Sequence, residues 1–168
     1  MNSKLVKVFS IFALGAMVGA ATLAILPSNE LKAVSANSND KFSMATVSVT
    51  TGFEDTEAVF ILDHLTGLMR GGIMNNAGQF SYTYFYNVAG DFQINPATPE
   101  PKYSIVAGRA SLRGAGGNQP ANGVLYVAEL TSGRVLAYGF PVPRGRGSAS
   151  PIPMVRLDGF GFREAVGG

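Results

Sequence analysis

Two stretches of this sequence repeat one another, and that repeat limits what the chain can become. Residues 59–69 read VFILDHLTGLM and residues 125–135 read LYVAELTSGRV, aligned without gaps at an offset of 66. Upstream, Lys41-Phe42-Ser43-Met44 is echoed by Lys102-Tyr103-Ser104-Ile105 at an offset of 61. The extra five residues fall in the glycine-rich stretch GAGGNQPANG, 114–123. An insertion confined to a loop is what two copies of one structural unit show. Each copy is therefore expected to be one small unit, a strand followed by a hairpin, repeated within one domain.

The residues inside each copy read as strands. Residues 42–49 alternate Ala45, Val47 and Val49 with Ser and Thr, the period of a half-buried strand. The run AVFIL, 58–62, is too short for a helix and is bounded by turns. Residues 68–74 return from the turn, and 79–88 place Phe80, Tyr82, Tyr84, Tyr86 and Val88 on one face. That segment is expected as a long strand or hairpin at 79–94 between the repeats. Pro96, Pro99 and Pro101 exclude a ladder strand and mark a linker. The repeats thus span 41–94 and 102–140, in a β domain of 37–140. Residues 141–168, with Pro141, Pro143, Pro151 and Pro153, are expected as an extended Pro/Gly/Arg-rich tail. At its end Leu157, Phe160 and Phe162 suit docking on another surface.

The hairpins share a local pattern: an aromatic, two apolar residues, an acid, two spacers, Thr or Ser, then glycine. It runs Phe60-Ile61-Leu62-Asp63-His64-Leu65-Thr66-Gly67 in one copy and Tyr126-Val127-Ala128-Glu129-Leu130-Thr131-Ser132-Gly133 in the other. An acidic side chain can accept N–H bonds within such a turn, and glycine can take the positive φ that closes it. Asp63, Gly67, Glu129 and Gly133 are accordingly the turn-forming residues. The pattern, over residues 59–69 and 125–135, resembles the blade hairpin of quinoprotein-type β-propellers. The tryptophan usual in that family is absent, and the chain has room for only two or three four-stranded sheets where a propeller needs at least four. The resemblance implies the hairpins, not a closed propeller or a quinone cofactor.

The N-terminus is of another kind. Lys4 and Lys7 precede an uncharged run over 8–26, VFSIFALGAMVGAATLAIL, which Pro27 ends. A positive start, an apolar core and a polar sequel read as an export signal. Val34-Ser35-Ala36 offers a cleavage site before Asn37. The run is also long enough to span a bilayer, so residues 1–36 are either a signal peptide or an uncleaved anchor with a polar spacer. The chain is then exported, to the periplasm or cell surface, or held facing outward by 8–26, its one membrane contact. The formal charge of +2 owes itself to this leader, so no nucleic-acid surface is implied. Residues 37–99 hold Lys41 and Arg70 against six acidic residues, and residues 100–168 hold eight basic against four acidic. No cysteine is present, which excludes disulfides and thiolate sites.

Few residues suggest chemistry. His64 is the sole histidine, too little for a His-rich zinc site, and no nucleophile elbow accompanies it; it reads as decoration of a turn. Glu54-Asp55-Thr56-Glu57 lacks the spacing of a calcium loop and reads as a solvated loop over 51–56. Gly71-Gly72 and Gly114–Gly117 read as turns, and Arg144-Gly145-Arg146-Gly147 as a solvated linker. No metal or cofactor is expected. The aromatic strand Phe80, Tyr82, Tyr84 and Tyr86 is the binding candidate, with a core or subunit contact as its other reading.

The expectation is an all-β protein: an N-terminal hydrophobic helix, then two duplicated antiparallel units forming a sandwich or partial propeller-like sheets. It is expected to be non-enzymatic, a structural or protein-interaction module of the cell envelope whose partner is itself or another protein. The alternative is an exported small-ligand or carbohydrate-binding protein using 80–88.

Overall fold

The computed structural model describes residues 36–51, 54–93, 101–113, 119–143 and 150–163, all within one compact unit, Ala33–Gly168. The expected export segment 8–26, Pro96 and Pro99, the glycines 114–117 and the Arg-Gly stretch 144–147 lie outside the described residues. No described helix is long and apolar enough to cross a membrane.

The described residues are mostly strand. The strands are β1 (Ala36–Ser38), β2 (Phe42–Thr51), β3 (Glu54–Asp63), β4 (Leu68–Met74), β5 (Phe80–Asn87), β6 (Tyr103–Arg109), β7 (Gln119–Pro120), β8 (Gly123–Glu129), β9 (Arg134–Gly139), β10 (Pro141–Val142), β11 (Ile152–Pro153) and β12 (Val155–Gly161). One turn of helix, α1 (Ala89–Phe92), follows β5. The first sheet runs β1-β2-β3-β4-β5-β11, the second β12-β9-β8-β6, and β7 pairs with β10. Pairing is antiparallel except for β11 beside β5.

Alternation explains which side of each strand is buried. Ala45, Val47 and Val49 of β2, Ala58, Phe60 and Leu62 of β3, and Tyr82 and Tyr84 of β5 turn inward from the first sheet. Tyr103 and Ile105, Leu125 and Val127, and Leu136 and Tyr138 turn inward from the second, and both sets share one core. Phe60, Tyr84 and Phe140 form its centre, with ring centroids 4.9 to 5.9 Å apart. Gly71 lies opposite Phe60 in the ladder, and a Cβ there would collide with the Phe60 ring. Gly71 and Gly72 are thus strand residues that admit aromatic rings, correcting their reading as a turn.

The two sheets repeat the same register. Phe42 pairs with Asp63, and Tyr103 with Glu129. Leu62 pairs with Met69, and Ala128 with Val135. Leu68 pairs with Asn87, and Arg134 with Gly161. The offset is 61 for the first strand (Phe42 to Tyr103), 66 for the hairpin (Asp63 to Glu129) and 74 for the fourth strand (Asn87 to Gly161). Even the bonds outside the ladders recur. His64 N–H donates to the Lys41 carbonyl and Leu130 N–H to that of Lys102, at 2.9 and 3.0 Å. Val88 N–H donates to Gly67 O and Phe162 N–H to Gly133 O, at 2.9 and 2.8 Å.

Several expectations need correction. Residues 51–56 are not an open loop: β2 extends to Thr51 and β3 starts at Glu54, so Asp55 and Glu57 sit on a strand, Thr50 Oγ1 donating to Asp55 Oδ1 at 2.9 Å. Within the expected stretch 79–94, Phe80–Asn87 is β5, paired with β4 in the first sheet and followed by α1, not a separate element between repeats. Ala36, expected to end the leader and its spacer, instead opens β1, which pairs with β2. Residues 155–161, placed in the tail, complete the second sheet beside β9.

Candidate functional site

The turn residues stand where the sequence pattern puts them. Gly67 N–H reaches Asp63 O at 2.9 Å and Gly133 N–H reaches Glu129 O at 3.1 Å. Both glycines have positive φ, 67° and 64°, where a side chain is strained. Asp63 Oδ1 accepts from Leu65 N–H at 2.9 Å, and with the Thr66 side-chain bond foremost its carboxyl is held below the usual range. Glu129 is fully buried. Burial alone would raise its carboxyl, but hydrogen bonds from Ser132 and Thr131, their backbone N–H groups foremost, outweigh it and keep the pKa lowered. These four residues shape the backbone of the two turns.

His64 departs from its expected role. Its side chain is only 6% exposed, stacked edge-on against Tyr103 at 5.8 Å. Nε2 lies 2.8 Å from Ser43 Oγ, which is itself 2.7 Å from Ser38 Oγ. Burial lowers the imidazole pKa, against the Asp40 carbonyl and the charges of Asp63 and Asp40. The neutral ring then accepts from Ser43 and donates to Asp40, which satisfies both nitrogens. A shallow cavity of about 500 Å³ lies beside it, lined by residues 38–40, His64 and residues 101–103. Ser43 is fully buried and out of reach of a molecule in that cavity. The Tyr103 hydroxyl is buried with no hydrogen-bond partner among the described residues, and burial first, then Glu129, pushes it up to about 12.

The expected aromatic stripe is divided. Tyr82 and Tyr84 are buried, Tyr84 donating to the Pro141 carbonyl at 2.8 Å. Tyr86 is half-buried against Tyr138, with centroids 5.2 Å apart. The Tyr138 hydroxyl bonds Asp91 of α1 at 3.1 Å. A bulge between Ile73 and Met74 shifts the register, and Phe80 falls on the other side, over Gly72 and 54% exposed. Three of the four aromatics therefore cement the two sheets, and only Phe80 faces solvent.

Among the described residues, what remains open is the outward side of each sheet. On the second sheet Ala128, Val135 and Phe160 lie in one cross-strand row, and Tyr126 and Ala137 in the next. Phe160 is 63% exposed, and Val106, Val155, Leu157 and Phe162 are exposed too. On the first sheet Met44, Ile61, Arg70 and Phe85 form a row, the three apolar members all exposed. Soluble monomers seldom leave large apolar patches uncovered. The docking residues expected from sequence, Leu157, Phe160 and Phe162, belong to the outward face of the second sheet or its rim. The sequence did not single out Met44, Ile61 or Val106; their alternation with inward residues was the available signal.

Equivalent positions do opposite work in the two sheets. Ile61 is exposed while Val127 is buried, and Met44 is exposed while Ile105 is buried. Conversely Ala45 is buried while Val106 is exposed, and Phe60 is buried while Tyr126 lies on the outward side. Each unit thus offers its two sides differently: one side of the first packs against the opposite side of the second.

Comparison with known protein families finds none that matches, and neither curated proteins nor solved structures show a significant similarity.

Proposed function

We propose that this protein is a non-enzymatic structural or protein-interaction module of the cell envelope. It works through the uncovered faces of its two sheets. The observation that carries this is the pair of outward rows: Met44, Ile61 and Phe85, exposed around Arg70, and Ala128 and Val135, half-buried beside the exposed Phe160. The basic start and uncharged run over 8–26 support export, either with cleavage or as an outward-facing anchored chain. The recurrence of register and turn bonds supports reading the two meanders as copies of one duplicated unit. The carbohydrate-platform alternative is less well supported, because Tyr82 and Tyr84 are spent on the core.

The test places a photo-crosslinking residue at Ile61 or Phe160 in full-length chain made in an exporting bacterial host. Adducts to a protein, whether another copy or a foreign one, in the envelope fraction are expected. Protein recovered in the cytosol, or no protein adduct from either position, would overturn the reading.

A further inference from the structure

The inversion of burial between equivalent positions has a geometric meaning. If two copies of one unit packed face to face, the same positions would be buried in both. Here the sets are complementary. The side of the first sheet carrying Ala45, Phe60 and Met69 packs against the side of the second carrying Ile105, Val127 and Leu136. The two outward faces are the leftovers of the same arrangement. The second sheet's outward face, with Val106, Tyr126 and Val135, is equivalent to the first sheet's buried side. The first sheet's outward face, with Met44 and Ile61, is equivalent to the second sheet's buried side. One uncovered face is therefore built like one half of the existing core interface, and the other like its partner half.

We propose that a second copy of this chain docks head to tail, its first sheet's outward face on the second sheet's outward face of its neighbour, repeating the packing already present inside each chain. This rests on the reading of the outward faces as interaction surfaces, and it names the partner and the polarity. The side chains fit the role. Glycines make room for rings in both settings: Gly71 admits Phe60 inside, and a Cβ on Gly108 would strike Tyr126 at 2.6 Å on the outward face. Arg70 is the sole charged residue in the row it shares with Met44, Ile61 and Phe85, and a neighbour's Asp158, paired with Ala137 on the opposing face, can meet it. Because the two faces differ, the contact is heterologous. It can continue from copy to copy, closing as a ring or running on as a filament.

Two blocked variants of the full chain test this. Ile61→Lys spoils the first face and Phe160→Lys the second; both positions are exposed, at 43% and 63%, so folding survives, as thermal melts would verify. Wild type should form higher oligomers in light scattering, and each variant alone should be a monomer. Mixed, the variants should give a particle of twice the monomer mass and no larger, since only one compatible pair of faces remains. A dimer of either variant alone would mean like faces pair, and would overturn the head-to-tail contact. A monomeric wild type at every concentration would overturn self-docking. The interaction-module reading would then stand or fall separately, on crosslinks to a foreign protein.

Discussion

Three glycines with positive φ allow the cost of backbone conformation to be separated from the cost of crowding. Gly67, Gly78 and Gly133 have φ of 67°, 74° and 64°, so alanine at each meets the same conformational penalty, about 1 kcal/mol. Their surroundings differ. A Cβ on Gly78 would touch nothing within 4 Å. One on Gly133 would meet Arg163 Cβ at 2.7 Å, an atom fixed to a backbone whose N–H approaches Gly133 O at 3.3 Å. One on Gly67 would sit 2.6 Å from Ala89 Cβ and 3.0 Å from its backbone nitrogen. Ala89 begins α1, and its neighbour Val88 bonds Gly67 O at 2.9 Å, so relief there means moving backbone. Overpacking of this kind adds roughly 1–3 kcal/mol. Gly78→Ala should then cost about 1 kcal/mol, and Gly67→Ala and Gly133→Ala about 3 kcal/mol each. With a urea m-value near 2 kcal/mol/M, the midpoints fall by about 0.5 M and about 1.5 M. Equilibrium urea melts followed by tyrosine fluorescence measure this. Equal midpoints for Gly67→Ala and Gly78→Ala would refute the crowding at Ala89. A neutral Gly78→Ala would refute the conformational argument for all three.

Other side chains give sharp expectations. Glu129→Gln should cost about 1–3 kcal/mol in urea melts at neutral pH, because an amide cannot accept from both Thr131 and Ser132 N–H groups. Since the native carboxyl is held below its ordinary 4.5, the unfolded chain binds more protons in acid. The stability from Glu129 is therefore complete above about 4.5 and lost as pH falls through the lowered native value; pH-dependent melts of wild type should show an acid limb that Glu129→Gln shallows. Tyr84→Phe should cost about 1 kcal/mol for the bond to Pro141, and Tyr84→Ala about 3–5 kcal/mol. A similar loss in both would place its value in the hydroxyl, not in packing with Phe60 and Phe140.

The hairpins were legible because their determinants are local. An acid four residues before a glycine fixes the turn at Asp63–Gly67 and again at Glu129–Gly133, and alternation fixes which residues share a strand face. Which face was buried could not be read the same way. Ile61 and Val127 occupy the same place in one pattern, and only the packing of one sheet on the other decides that the first is open and the second closed. Phe80 was misplaced because a single extra residue at the Ile73/Met74 bulge reverses the alternation, with no marker in composition. His64 looked like turn decoration because its partners Ser43 and Asp40 come from another strand and its approach. The tail looked unstructured because prolines dominate its first part. Its last strand is held by β9, across a stretch that visits the first sheet at β11, and no local rule reports so distant a partner.

That long route bears on the order in which the molecule can assemble. In the first sheet β2 through β5 zip by successive hairpins, each strand pairing with the one just before it. In the second, β9 must wait for β12 while the chain pairs Ile152 with Tyr84 and Pro153 with Phe85 on the other sheet. Loop closure on that scale slows pairing, so a chain emerging from a ribosome or a translocation channel would expose the edge of β9 until residue 161 had cleared. During that interval the unpaired edge is open to a chaperone, or to the same strand of a neighbouring chain exchanged in place of its own.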